Sequence, residues 1–176
     1  MVDLTHVPTE NGTILEWATQ SPATGDHWDK VDADDAAFIE TNVAAYKLDL
    51  FKTNTAIMGG SISNVRVSWK AHAYGGSALG KTSVRTHDTV YYGTPTSFAT
   101  TGWVASSYYT DWAINPYTNA QWTWSEIYEM EFGLAANRAM PNAGNSIKCY
   151  YITRIVTYTD DLGTGGNIPV GDFGFF

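Results

Sequence analysis

The feature that most constrains this chain is the run from Ile62 to Ala73. Val65, Val67, Trp69, Ala71 and Ala73 alternate with Asn64, Arg66, Ser68, Lys70 and His72. Side chains fall on opposite faces at every step only in an extended strand, so the first set points to a core and the second to solvent. Gly75-Gly76 ends the run. Residues 82–92 alternate again, with Val84, Val90 and Tyr92 opposite Arg85, His87 and Tyr91, until Gly93 and Pro95 break the pattern. Residues 98–110 read as a further strand or bent pair interrupted at Gly102. Residues 147–159 are apolar on both sides: Ile147, Cys149, Tyr151 and Ile155 share one face, and Tyr150, Ile152, Val156 and Tyr158 the other. A strand of that kind is covered on both faces and central in its sheet. Shorter strands are expected over 12–18, 38–42 and 46–53, with a long Asp-rich loop over 19–37.

One helix is expected, over 124–132. Thr123 and Glu126 have the spacing of a capping box, in which each side chain satisfies the other residue's backbone N–H. Ile127, Met130 and Leu134 recur at helical spacing, and Gly133 fits the position just past a helix end. Strands at regular spacing, Gly/Pro/Asn punctuation and a single helix predict an all-β fold, an antiparallel β-sandwich or jelly roll. The βαβ alternation of Rossmann and TIM architectures is missing. The expected organisation is an N-terminal arm over 1–11, a sandwich domain over 12–159 and a Gly-rich C-terminal arm over 160–176.

Charge narrows the partners. Ten Lys and Arg against 18 Asp and Glu leave a net charge of −8. Phosphate backbones and anionic lipid surfaces are bound by clustered cations, so neither nucleic acid nor membrane is an expected partner. No run of 18 apolar residues could span a bilayer. The first residues lack the basic and apolar regions of a secretory signal, which predicts synthesis in a reducing cytoplasm. The single cysteine, Cys149, excludes an intrachain disulfide and a cysteine-built zinc cage. Its place inside an apolar run marks it as an inert core thiol.

Few residues invite chemistry. Asp32, Asp34, Asp35 and Glu40 form an acidic patch that is a weak calcium candidate. The EF-hand template fails there, because no glycine stands at its sixth position and Val43 stands at its twelfth. Asx turns in a solvated loop account for the same residues. Glu126, Glu129 and Glu131 are expected on the helix, and Asp88 and Asp111 have no visible partner, so no carboxylate pair for glycoside hydrolysis stands out. His72 and His87 could meet across neighbouring strands, yet a third metal ligand is lacking. Residues 75–82 match Gly-x-x-x-x-Gly-Lys-Thr in letters only, since Lys81 onward alternates as a strand where a phosphate loop needs a helix. Neither Gly-x-Ser-x-Gly nor Ser-x-x-Lys occurs. The expectation is a protein without catalytic residues or cofactor.

The aromatic residues carry more information. Aromatics make up 14% of the chain, against only 16% charged residues. Trp69 belongs to the core face of its strand. Trp103, Tyr108 and Trp112, beside Ser106-Ser107 and Tyr109, are candidates for a surface that binds a glycan or another subunit. Phe173, Phe175 and Phe176 in the tail are candidates for adhesion, because exposed rings on a lone monomer would promote association.

Several motifs occur in a distinctive order. His27-Trp28-Asp29-Lys30-Val31-Asp32, then Asp34-Asp35, precede Asp49-Leu50-Phe51 and the 62–73 strand. Asn115-Pro116-Tyr117-Thr118-Asn119-Ala120-Gln121-Trp122-Thr123-Trp124-Ser125-Glu126-Ile127 leads to Glu131-Phe132-Gly133-Leu134 and then to the strand from Cys149 to Tyr158. Over residues 27–158 this resembles a family of tailed-phage and prophage virion structural proteins. That family's pattern has Asn-Pro-x-Thr-Gly-x-x-Trp-Thr, a short helix and a closing strand. Asn119 stands where the pattern has glycine, and asparagine also tolerates the left-handed backbone of such a turn. The resemblance implies a sandwich-fold virion component, a capsid decoration protein bound between shell subunits or else a tail or fibre module that binds carbohydrate or receptor. Its implied partners are sister copies and a major capsid or tail protein, and it carries over no catalytic residues. In that setting the 160–176 tail is expected to lie on a neighbouring subunit.

Overall fold

The structure, a computed structural model, describes residues 1–33, 36–54, 58–98, 108–138 and 145–160. Within them the chain forms β1 (Val2–His6), β2 (Glu10–Leu15), β3 (Thr19–Ser21), a single 3-10 turn (Trp28–Lys30), β4 (Phe38–Thr41), β5 (Lys47–Lys52), β6 (Ile62–Ala73), β7 (Ala78–Thr86), β8 (Thr89–Tyr92), β9 (Thr96–Phe98), β10 (Tyr108–Trp112), α1 (Trp124–Glu129), β11 (Glu131–Arg138) and β12 (Ile147–Tyr158). The strands make two antiparallel sheets. One has the order β10-β6-β12-β4-β3, with β1 also on β12, and the other has β2-β5-β11-β7-β8, with β9 also on β7. Val65, Val67, Trp69, Ala71 and Ala73 of β6 and Phe132, Leu134 and Ala136 of β11 meet in the core between the sheets. The chain is an all-β sandwich.

β12 is central, as its two apolar faces predict, but its alternation changes phase midway. A bulge between Cys149 and Tyr151 puts Ile147 and Cys149, then Ile152, Val156 and Tyr158, on the core side. An extra residue in one strand inverts the facing of everything after it. Tyr151 and Ile155 therefore leave the face they share with Ile147 in a strict two-residue reading. Along its other edge β12 pairs first with β4 (147–149) and later with β1 (154–158). In the gap, the Ile152 N–H donates to the Val31 carbonyl at 2.9 Å, so the loop after the 3-10 turn stands in for a strand.

Three expectations are corrected. Residues 2–6, expected in an N-terminal arm or loop, form β1 in register with β12, from Val2 opposite Tyr158 to His6 opposite Arg154. The alternation over 82–92 is a hairpin, β7–β8, whose turn residues His87 and Asp88 both have positive φ, 49° and 60°. Such a turn matches the twist of the flanking strands, and aspartate tolerates it without the usual glycine. The helix is shorter than expected. α1 has its capping box, with Thr123 and Glu126 in the predicted roles, but it ends at Glu129, and 131–138 is a strand. Gly133 is no helix terminus. It lies where β11 runs between β5 and β7, and a Cβ there would collide with the Asp49 backbone oxygen. Gly80 of β7 serves differently: a Cβ would stand 2.6 Å from the Trp69 ring, so the missing side chain makes room for the largest core residue.

α1 covers one end of the sandwich through Ile127, with Met130 just beyond its end, both buried. Trp124 packs edge-on to Tyr158 at 5.0 Å, and its indole N–H donates to the Gly60 carbonyl at 3.0 Å. Arg154 secures the helix from inside: fully buried, it donates to the Ile127 carbonyl at 2.8 Å and lies 5.4 Å from the Phe132 ring. Burial pulls its pKa down to about 9, since a charge in the interior loses its hydration.

His6 lies opposite Arg154, and burial, with the arginine's charge, lowers its pKa to about 4. The unfolded imidazole takes a proton near 6.5, whereas the folded one stays neutral until about 4. The stabilising difference is complete above the upper value and is lost as the pH falls through this window. Because the ring is half-exposed, the expected loss is only about 1–2 kcal/mol. Urea titrations at pH 7 and pH 4.5 should show wild type losing more stability than His6→Leu. Equal losses would mean that His6 does not sense this window.

Candidate functional site

The strand β10 alternates opposite to the binding-surface expectation. Tyr108 and Trp112 turn inward against the core. Tyr108 stacks on Trp69 at 4.6 Å, and the Trp112 carbonyl accepts the Trp122 indole N–H at 2.9 Å. Half-buried and committed to packing, these two rings do not present a platform. Trp103, Phe173, Phe175 and Phe176 lie outside the described residues. The outward residues of β10 are Tyr109, 55% exposed, and Asp111. Had the register been known, the alternation through Trp112 would have pointed to Tyr109.

Asp111 is not without a partner. It takes a forked bond from Arg66 at 2.8 and 2.9 Å and a third from Asn64 at 2.7 Å. These bonds hold its carboxyl below the usual range and raise the Arg66 guanidinium. The same guanidinium lies 4.0 Å from the Tyr109 ring centre. This pairing of cation and ring recurs. On the first sheet Lys148 stands 3.9 Å from the Phe38 ring, and Lys70 stands 5.5 Å from Tyr151. On the second, Lys81 stands 3.9 Å from Tyr46 and 5.4 Å from Tyr92. Both outer faces thus carry rings partly covered by cations.

Histidines do not gather. His72 stacks on Tyr74 at 4.3 Å in the first sheet, while His87 stacks on Tyr117 at 4.4 Å beside the β7–β8 turn. The turn that carries Tyr117 is closed by Asn115, fully buried, whose side chain accepts the Tyr117 N–H at 2.9 Å. Asn119 there has φ +55°, the left-handed backbone that glycine or asparagine permits. Asp32 is partly buried, and Asp34 and Asp35 lie outside the described residues. Among the described residues no group of three or more His, Cys, Asp or Glu is placed to hold a metal ion. Residues 75–82 form the β6–β7 turn and the start of β7, which excludes a phosphate loop. Cys149 is buried, and desolvation raises its pKa, as for an inert thiol.

Among the described residues, the buried carboxylates of Asp49 and Glu131 escape sequence reasoning. Asp49, fully buried in β5, accepts the Glu16 N–H at 2.6 Å and the Trp17 N–H at 2.9 Å, and its other oxygen meets His27 Nδ1 at 2.6 Å. Glu131, expected on the helix, is a buried β11 residue that accepts the Thr13 N–H and hydroxyl at 2.9 and 2.8 Å, with Arg85 at 3.3 Å. Both tie β2 or the chain just after it to the centre of the second sheet. No local spacing could reveal them, because each joins residues more than 20 positions apart.

Open clefts mark the surface among the described residues. One, of about 390 Å³, is lined by Glu10, Lys52, Thr53, Asn54, Tyr128 and Glu129. A second, of about 250 Å³, lies between Ala18–Thr19 and Glu40–Asn42. A third, of about 360 Å³, is lined by Ala18, Thr19, Gln20, Ala23 and His27. The first combines carboxylates, an ammonium, an amide and an exposed ring. The chain matches no protein-family model and no curated protein.

Proposed function

We propose that this chain is a structural component of a tailed-phage virion, a capsid decoration protein that binds between shell subunits and acts without catalysis. The observation that carries the reading is the distribution of exposed rings. Tyr92 and Tyr109 on the two sheets and Tyr74 in the β6–β7 turn are exposed, and each lies near a cation. Tyrosine and arginine are enriched among the residues that dominate binding at protein interfaces. The ordered motifs over 27–158 support the same class of protein. Binding across neighbouring subunits stabilises the assembled shell by mass action.

The test is mass spectrometry of purified particles from cells that produce the protein, with its stoichiometry measured against the major shell protein. Hundreds of copies are expected. Arg66→Ala and Tyr109→Ala should lower that occupancy while the free protein stays folded. Particles without the chain would overturn the reading. A second reading, a tail- or fibre-associated carbohydrate-binding module, is favoured by the cleft beside Tyr128.

A further inference from the structure

We propose that the cleft between the end of α1 and the β2–β5 edge binds a neutral saccharide, with Tyr128 as the stacking surface. The proposal deepens the carbohydrate-binding reading and does not depend on the virion assignment.

The cleft is built on a held frame. Glu10 of β2 lies opposite Lys52 of β5, and Thr9 fastens the pair: its N–H donates to the Lys52 carbonyl at 2.9 Å, and its hydroxyl accepts the Asn54 N–H at 3.1 Å. The Lys52 ammonium leans on buried Glu131 at 3.7 Å. Tyr128 and Glu129, the last two residues of α1, form the opposite wall. The volume of about 390 Å³ lies in the small-molecule range of roughly 300–1,000 Å³ and admits one or two pyranose rings.

The lining selects the ligand class. Tyr128 is 56% exposed, more than any other tyrosine among the described residues, although it stands at the mouth of a cleft. Such a ring is suited to the C–H face of a pyranose, an amphipathic surface that water hydrates poorly. Among the described residues the Glu10 and Glu129 carboxylates have no side-chain partner, so each can accept two hydroxyl protons. The Asn54 amide both donates and accepts, and Lys52 donates. This set matches vicinal hydroxyls. Two carboxylates against one ammonium, itself shared with Glu131, repel an anionic sugar.

The test is saturation-transfer NMR on the full-length protein with maltose, cellobiose, lactose and N,N′-diacetylchitobiose, and with glucosamine and glucuronate as charged counterparts. At least one neutral disaccharide is expected to receive saturation. Tyr128→Ala should weaken its binding about five- to tenfold, the loss of one stacking contact. Tyr128→Phe should retain binding, Glu129→Gln should weaken it, and Ile114→Ala, exposed and not among the residues that line the cleft, should leave it unchanged. Tyr128 is exposed, so none of its variants threatens the fold. Binding of glucosamine alone would overturn the neutral class. Neutral-sugar binding that survives Tyr128→Ala would overturn the cleft while leaving the carbohydrate reading in place. No saturation from any sugar would overturn both.

Discussion

Replacing Arg154 with alanine is expected to destabilise the sandwich by about 3–5 kcal/mol, because a fully buried side chain leaves a cavity and the Ile127 carbonyl loses its donor. The loss should be concentrated at the α1 end. Ile127 and Met130 pack there with Trp122 and Trp124 in the same cluster, so two of the seven tryptophans report on that end. Arg154→Met tests which part matters. It keeps most of the volume but not the donor, so a loss of about 1–2 kcal/mol is expected. An equally large loss for both variants would assign the role to the bond and the ring contact rather than to packing. Urea titration of the two variants beside wild type measures the difference. A loss below about 1 kcal/mol for alanine, the size of an ordinary substitution, would show that the end of the sandwich closes without this arginine.

The second large effect is expected at Asp49. Alanine there removes the acceptor of the Glu16 and Trp17 N–H groups and the partner of His27 in one step. Each buried donor left unpaired costs about 1–3 kcal/mol, which predicts a total loss of about 2–5 kcal/mol. An asparagine in place of this aspartate still offers an oxygen to both backbone groups, so Asp49→Asn should cost about half as much. The double variant with His27→Ala separates the contributions. If the imidazole contact matters, the losses for His27→Ala and Asp49→Asn will not add. Additive losses would mean that Asp49 acts through the backbone alone.

Much of the fold was legible because burial has a period. β6 was readable residue by residue, since one face meets the core and the other meets solvent along most of its length. The capping box at Thr123 and Glu126 was readable because it is a local bond pattern that needs no tertiary partner. β11 was not. Glu131-Phe-Gly-Leu-Ala-Ala-Asn-Arg contains residues that favour helices, and Leu134 continues the spacing of Ile127 and Met130. It is a strand because β5 and β7 offer ladders on both sides, and alanine and glycine let three strands approach closely. β1 was unreadable for the opposite reason: five largely polar residues carry little pattern, and only the free edge of β12 gives them a partner.

The site followed the same division. Tyr108 and Trp112 drew attention as aromatic residues, but a shift of one residue in a strand exchanges solvent for core. Register against β6, not composition, turned Tyr109 outward. The cleft at Tyr128 joins residues from β2, β5 and α1, which no spacing along the chain brings together.

What the amino-acid order determined alone was the class of architecture: alternation, turn residues and one capped helix permit an all-β sandwich and exclude βαβ folds. That information is local, because each side chain's facing depends on its immediate neighbours. The tertiary structure decided which strands pair, where β12 changes phase at its bulge, and which carboxylates are buried at Asp49 and Glu131. Those outcomes depend on hydrogen bonds and close contacts between distant residues, whose energies exist only once the two sheets have packed.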